Sequence, residues 1–313
     1  MSRLLVTGAD GFVGRWLVRS ARAAGRAVIA VIPPGAPAPA EWNNAASAVA
    51  IEVLVADLAD PAAAARIAGS RPTAVVHLAA IASSVAARHD PAAAMVVNCD
   101  ATVRLARALA GAGSPCFLFA STAEVYGPGH ADAIAESAPV KPVSPYAESK
   151  ARAEKALADV ANETGLPVIV ARSFPHTGPG QTTTYVLPAL VARLLAARKA
   201  GAATVRVGNL SAVRDFLDVR DVVRAYLMLL AHGRPGAVYN VASGVGRRLS
   251  ECFDLLARLV GVTVTVEPDA ALLRPSDIPV LIGDASRLRA ATGWSPEIPF
   301  ERTLQDLVNA QAD

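Results

Sequence analysis

Two short stretches of this chain could do chemistry together, although more than a hundred residues separate them. The first reads Val6-Thr7-Gly8-Ala9-Asp10-Gly11-Phe12-Val13-Gly14. Glycines at this spacing, placed after an apolar run and before a helical one, let the backbone turn tightly and approach a phosphate. The free N–H groups of the helix start then meet the anion. A glycine-rich turn with no ligand is the alternative. The second stretch reads Ser144-Pro145-Tyr146-Ala147-Glu148-Ser149-Lys150. Tyr146 and Lys150 are four apart and share one helix face. A free phenol titrates near pH ~10, and a neighbouring ammonium and a nicotinamide cation favour its phenolate. Tyr-x-x-x-Lys alone says little. A pyrophosphate cradle beside a tuned proton donor is the minimum equipment for moving a hydride to or from a carbon–oxygen bond.

Other residues extend this site. Ser121-Thr122-Ala123-Glu124-Val125-Tyr126-Gly127 follows an apolar run, and a hydroxyl there can hydrogen-bond a substrate oxygen. Thr122 is preferred to Ser121. Glu124 is either a general base or a loop carboxylate, and Tyr126 is read as structural. Asp57-Leu58 closes a strand, where the carboxylate either meets an adenine amino group or caps a helix. Leu78, Ala79 and Ala80 are small or apolar and leave room for a dinucleotide, whereas His77 is read as a packed strand residue. The dinucleotide candidates are therefore Gly8, Gly11, Phe12, Val13, Gly14, Asp57, Leu58, Leu78, Ala79 and Ala80, with Tyr146 and Lys150 at the reactive end. The second strand runs into Pro33-Pro34-Gly35, with no acidic residue before Glu41 to bind a ribose diol. Arg15 could reach a 2′-phosphate or lie in solvent. NADP(H) and NAD(H) both stay open, with a lean to NADP(H).

The elements that must position these residues can be read from periodicity. Leu4–Thr7, Ala27–Ile32, Ile51–Ala56, Ala74–Ala79, Cys116–Ala120 and Val168–Ala171 read as buried strands. Gly11–Ala24, Pro61–Ala68, Ala92–Ala112 and Ala147–Thr164 read as the helices between them. The alternation predicts an α/β fold, a Rossmann-like doubly wound parallel sheet. Val238–Ala242 reads as one more strand of that sheet. After residue 172 the rhythm changes to a strand at Thr204–Val207, helices at Val219–Ala231 and Leu249–Val260, and a strand at Val262–Glu267. The expected division is a dinucleotide domain over 1–172 with 237–243, and a smaller C-terminal substrate lobe over 173–236 and 244–313.

Composition bounds the function. The chain has 313 residues, 53% hydrophobic, with a net charge of +3. The small charge argues against a nucleic-acid partner. The charge-free stretch Ala27–Ala40 is too short to span a bilayer and is broken by four prolines, which argues against a membrane partner. No basic segment followed by an apolar one precedes the glycine loop, so the expected location is cytoplasmic. Cys99, Cys116 and Cys252 are odd in number and lack metal-ligand spacing, which predicts free thiols and no metal.

Longer motifs resemble those of a known family. They are His176-Thr177-Gly178-Pro179-Gly180-Gln181, Gly208 to Asp221 with Ala212-Val213-Arg214-Asp215-Phe216 at its centre, and Arg274-Pro275-Ser276-Asp277-Ile278-Pro279 with Gly283-Asp284. With the glycine loop and Tyr146/Lys150, the chain resembles the extended short-chain dehydrogenases/reductases of the nucleotide-sugar epimerase/dehydratase group. Within it, the chain is most similar to GDP-6-deoxy-4-keto-mannose reductases, then to GDP-mannose 4,6-dehydratases. The resemblance implies that Tyr146 is the acid–base residue, Lys150 binds the nicotinamide ribose and Thr122 completes the triad. It also implies that His176, Arg214 and Arg274 bind the sugar nucleotide. A guanidinium matches a phosphate's paired oxygens, but ion pairs with Asp215 or Asp277 are the plain alternative. Ser83 and Ser84 fall where the sugar would lie, and either bind it or cap a helix. The resemblance further implies a homodimer through a four-helix interface of Ala92–Ala112 and Ala147–Thr164. One departure stands out: the family's Pro-Phe-Asn-His is Ser173-Phe174-Pro175-His176 here, and Pro175 has no side-chain donor.

The implied activity is NAD(P)H-dependent reduction of the 4-keto group of a nucleotide-activated 6-deoxyhexose, GDP-4-keto-6-deoxy-mannose by resemblance. A 4,6-dehydratase, with Glu124 removing the C5 proton, and a 4-epimerase are the alternatives. A non-catalytic dinucleotide-binding protein is a reading from another class, and retention of both Tyr146 and Lys150 argues against it.

Overall fold

The computed structural model describes residues 3–43, 49–272 and 278–312. Its main body alternates strand and helix: β1 (Arg3–Thr7), α1 (Phe12–Ala23), β2 (Ala27–Ile32), β3 (Ile51–Val55), α2 (Ala63–Ala68), β4 (Ala74–His77), α3 (Ser84–His89), α4 (Pro91–Met95), α5 (Ala101–Ala110), β5 (Cys116–Thr122), α6 (Pro145–Thr164) and β6 (Val168–Ser173). The chain continues through β7 (His176–Thr177), α7 (Val186–Ala200), β8 (Thr204–Val207), β9 (Val213–Asp215), β10 (Leu217–Asp218), α8 (Val219–His232) and β11 (Val238–Val241). It closes with β12 (Gly246–Arg248), α9 (Leu249–Val260), β13 (Thr265–Pro268), β14 (Val280–Leu281), α10 (Ser286–Thr292) and α11 (Phe300–Ala312).

Seven strands form one parallel sheet in the order β11-β6-β5-β4-β1-β2-β3. Strand order reverses between β1 and β4, and in such sheets the crevice beyond the carboxyl ends at that point is where ligands bind. Thr7 lies opposite His77, and Thr122 opposite Ser173, so the ends that carry the candidate residues are aligned. One face is packed by α1 and α8 through Leu17, Val18, Val222, Tyr226 and Leu229. The other is packed by α2, α5 and α6 through Ile67, Leu105, Leu109, Leu157 and Val160. A third apolar cluster joins α7, α9 and α11 through Leu190, Leu194, Leu256 and Leu304.

Three readings of the sequence are corrected. The strand at Ile51 is the edge of the sheet, not a buried strand, and Val53 and Val55 are exposed. The helix expected over 92–112 is interrupted by a π turn at Val96–Asp100. There Asn98, fully buried, turns inward to pair with both backbone groups of Ile81 (2.7 and 3.2 Å) and with Ser149 Oγ (2.9 Å). A widened turn of this kind aims a side chain that regular helix geometry would point elsewhere. Helices α7, α10 and α11 were not anticipated. In α7 apolar residues run almost all the way round and Pro188 sits in the first turn, which blurs the helical stripe.

Candidate active site

At the carboxyl ends of β1, β4, β5 and β6 the chain encloses a cavity of about 710 Å³. The glycine loop forms one wall, with Gly8, Gly11, Phe12, Val13 and Gly14 all lining it. Gly8 has φ +64°, and a Cβ there would stand 3.0 Å from the Ala79 backbone. A Cβ at Gly14 would stand 2.2 Å from the Gly8 carbonyl oxygen. Glycine is thus required both for the turn and for the close seat of α1 on the sheet. Helix α1 starts without a side-chain cap and without an acidic residue in its first turn. Its leading N–H groups and positive dipole end face the cavity mouth, which suits a pyrophosphate. Asp57, Leu58, Leu78, Ala79 and Ala80 line the same wall. Asp57 Oδ1 also accepts the Ala59 amide at 2.9 Å, a local turn bond. The cavity therefore has the shape and the donors for a dinucleotide.

His77 is not part of this chemistry. It is fully buried, its Nδ1 2.8 Å from Thr7 Oγ1 and its Nε2 2.8 Å from Thr102 Oγ1. Burial, with Lys150 nearby, pushes its pKa down to about 3, so the ring is neutral and structural. Tyr126 is likewise structural: its hydroxyl donates to Asn240 Oδ1 at 2.7 Å inside the core.

Tyr146, Lys150, Thr122 and Glu124 all line the cavity. Ser144 caps α6 by accepting the Ala147 amide, and Pro145 starts the helix with its φ already set. This fixes the first turn, from which Tyr146 projects, and places Lys150 one turn on. Lys150 Nζ donates to the Ala120 carbonyl at 2.7 Å and lies 4.6 Å above the Phe119 ring centre. Burial pushes its pKa down to about 7, and the Glu154 carboxylate opposes that shift.

For Tyr146 the structure departs from the sequence argument. Burial, and then the charge of Glu124, push the phenol's pKa up, while a hydrogen bond with the Thr122 side chain works the other way. In the protein alone the phenol is therefore held protonated, with burial outweighing the shift toward the phenolate that the spacing had suggested. Thr122 and Ser121 are differently engaged. Ser121 Oγ donates to Glu154. Thr122 Oγ1 accepts the Glu124 amide at 3.2 Å, capping the single turn Ala123–Tyr126.

Residues beyond β6 complete the cavity wall. His176 stacks on Phe12 at 6.3 Å between ring centres, and its Nδ1 lies 3.0 Å from the Phe174 carbonyl. Arg214 also lines the cavity, with Nη1 donating to the Val213 carbonyl at 2.9 Å. Asp215, the ion-pair partner weighed for it, is fully buried and holds the Ser243 and Gly244 amides at 2.9 Å and the Gly283 amide at 3.2 Å. Arg274 lies outside the described residues. Ser83 Oγ accepts the Ala86 amide at 3.3 Å as the cap of α3, which favours capping over sugar binding. Ser84 Oγ instead reaches Glu124 Oε2 at 3.4 Å. Pro175 lines the cavity and offers only its carbonyl, which accepts the Leu217 amide at 2.9 Å.

Several cavity residues escaped the sequence reading. Tyr185 lines it just ahead of α7, and burial followed by Glu124 pushes its phenol pKa up. Tyr226 reaches it from α8, with Oη 2.6 Å from Ser173 Oγ and a pKa pushed up to about 12 by burial. Gln181 donates from Nε2 to the His176 carbonyl at 3.0 Å. Its Oε1, like Thr177 Oγ1, is buried without a hydrogen-bond partner among the described residues. Tyr185 and α7 were missed together, because only the helix reveals that the tyrosine turns into the cleft.

Comparison with known proteins agrees with this geometry. Residues 4–242 match the NAD dependent epimerase/dehydratase family. The chain is 36% identical to a GDP-6-deoxy-D-mannose reductase of Pseudomonas aeruginosa, over 98% of this chain and 96% of that one. It superposes on RMD from Pseudomonas aeruginosa complexed with NADPH with a TM-score of 0.83 at 34% identity, covering 99% of this chain and 98% of the other. It also superposes on a UDP-glucose 4-epimerase of Thermus thermophilus in complex with NAD, with a TM-score of 0.86 at 28% identity and 98% coverage of both chains. Glycine loop, phenol–ammonium pair and whole-length likeness together place the chain in the NAD-dependent epimerase/dehydratase family, among enzymes that act on nucleotide sugars with a nicotinamide dinucleotide.

Proposed function

We propose that the protein reduces the 4-keto group of a nucleotide-activated 6-deoxyhexose, GDP-4-keto-6-deoxy-mannose, with Tyr146 as proton donor. The observation that carries this reading is that Tyr146, Thr122 and Lys150 line one cavity with the glycine loop. A donor must enter the reaction protonated, and burial beside Glu124 favours that state. Whole-length similarity to a GDP-6-deoxy-D-mannose reductase supports the substrate.

The bound dinucleotide supplies the hydride. Gly8, Gly11, Phe12, Val13 and Gly14 hold its pyrophosphate at the start of α1. Asp57 and Leu58 take the adenine end, and Leu78, Ala79 and Ala80 line its path. Lys150 binds the nicotinamide ribose. Thr122 and Tyr146 receive the carbonyl oxygen between them, so that the proton moves from the phenol to that oxygen as C4 gains hydride. Arg214 and His176, with Arg274, take the sugar nucleotide. In this division residues 1–172 with 237–243 serve the cofactor, and 173–236 with 244–313 serve the substrate.

NADP(H) is the preferred cofactor in this reading. What supports it is the lack of an acidic residue between the end of β2 and Glu41 to take a ribose diol; Arg15 would have to exchange its 2.7 Å bond to Glu41 for a 2′-phosphate. A homodimer through α4–α5 and α6 is the proposed assembly, and sedimentation at working concentration tests it. No helix among the described residues is long and apolar enough to cross a membrane.

A 4,6-dehydratase is the second reading, because Glu124 lines the cavity and acts on Tyr146. Cofactor deuterated at the transferred position separates the two. Under the reductase reading, deuterium appears at C4 of the hexose and oxidised cofactor accumulates. Recovery of unchanged oxidation state in the cofactor pool, with a dehydrated or epimerised sugar, would reject it.

A further inference from the structure

Beneath the reactive turn of α6 lies a buried charged cluster with no part in the scheme above. Glu154 stands one turn beyond Lys150 on the same helix face. Its carboxylate is gripped by Arg172 of β6, with Nε 3.1 Å from both oxygens and Nη2 2.6 Å from Oε2. The two side chains are only 9% and 7% exposed. Ser121, next to Thr122, donates a further hydrogen bond to Glu154 Oε1. The Arg172 guanidinium lies 4.8 Å above the Tyr126 ring. One carboxylate thus joins the reactive helix to the ends of β5 and β6.

A buried ion pair is a poor way to gain stability, since two charges must leave water. Its position suggests another use. Lys150 is 2% exposed, and its Nζ is bonded to a neutral carbonyl and lies over an aromatic ring. It touches Phe119 and the Ala120 carbonyl of β5; the titratable groups that bear on it are His77 of β4, neutral as shown above, and Glu154 of α6, itself paired with Arg172 of β6. Burial drives Lys150 toward the neutral amine, and Glu154 is the negative charge that opposes it.

We infer that Glu154, fixed by Arg172 and Ser121, is a positioning residue that raises the cationic share of Lys150 near neutral pH. The ammonium can then donate to ribose hydroxyls and stabilise the phenolate left on Tyr146 after proton transfer. The functional consequence rests on the role assigned to Lys150 above. The titration itself does not, because it is measured on the protein without cofactor or substrate.

The sequence makes that measurement clean. It contains only four lysines, and Lys141, Lys155 and Lys199 are exposed. With lysine labelled by 13C at Cε, NMR titration gives each midpoint, and Lys150→Arg assigns the buried one. Glu154→Gln is expected to lower the Lys150 midpoint by about one pH unit or more, leaving the other three in place. Glu154→Asp, which keeps the charge, is expected to retain most of the wild-type midpoint. In the reductase assay the alkaline limb of the pH profile, where the ammonium is lost, should move down with the Lys150 midpoint. Where Glu154→Gln alone strands Arg172 and prevents folding, the Glu154→Gln/Arg172→Met double variant removes both charges and should show a smaller fall, because loss of the Arg172 cation partly offsets loss of the carboxylate. A merely structural role would lower Tm and leave the midpoint where it was. An unchanged Lys150 midpoint in either folded variant overturns the inference.

Discussion

Lys150 Nζ donates to the Ala120 carbonyl at 2.7 Å, so the buried ammonium is tied to the strand that carries Thr122 two residues further on. Helix α6 brings the phenol and the amine, β5 brings the hydroxyl, and this bond sets the two elements in register. The reactive groups are thereby fixed by the scaffold instead of by the ligand.

Tyr146→Phe removes the proton donor and little else, because the ring still fills its place beside Thr122. Turnover should fall by about 10²–10⁴-fold, the usual worth of a positioned acid. Dinucleotide affinity, followed by fluorescence of the reduced nicotinamide, should change little. Retained turnover would remove Tyr146 from its role.

Arg214 lines the cavity from β9, as does the glycine loop from the start of α1. Arg214→Ala should weaken sugar-nucleotide binding by about tenfold or more, the loss expected for a charged hydrogen bond, with a much smaller effect on the dinucleotide. Equal losses for both ligands, measured by calorimetry, would place Arg214 on the wrong side of the cleft.

Glu124→Gln separates reduction from dehydration. The substitution keeps the shape of the turn capped by Thr122 and removes the charge that acts on Tyr146. A reductase should retain its rate within a few-fold, whereas dehydration loses its base. Full dehydratase activity in Glu124→Gln, were dehydration observed, would rule out Glu124 as that base.

His77 gives a prediction on stability. Its folded pKa of about 3 lies below the ordinary 6.5, so the unfolded chain binds the extra proton between those values. The contribution is fully present above pH 6.5 and is lost as pH falls toward 3, by at most about 1.4 kcal/mol per pH unit. Replacing the ring with His77→Gln removes that dependence. Urea midpoints at pH 7, 6 and 5 should therefore fall more steeply for the wild type than for the variant. Parallel slopes would show that His77 is not the titrating group.

Much of this was legible in the sequence, for identifiable reasons. Buried parallel strands are continuous apolar runs, so Ala27–Ile32 was read to the residue, and Cys116–Thr122 missed only its last two hydroxyl residues. Gly8 and Gly14 were readable because no other residue fits their contacts. Tyr146 and Lys150 were readable because helical spacing is local. What escaped depends on distant partners. The π turn exists because Asn98 answers Ile81 and Ser149, and nothing near it in sequence announces them. Glu154 was not singled out, because the Arg172 and Ser121 side chains that close around it come from strands β6 and β5. The upward shift of the Tyr146 pKa was missed for the same reason, since spacing reveals a neighbouring charge but not the loss of water.

The central claim is net reduction of a sugar ketone, and the absorbance of the reduced nicotinamide tests it most directly. Purified protein would be mixed with GDP-4-keto-6-deoxy-mannose and NADPH, with NADH in parallel. The account predicts loss of one equivalent of reduced cofactor for each 6-deoxyhexose formed, faster with NADPH. Demonstrated binding of cofactor and sugar nucleotide with no loss of that band would contradict it.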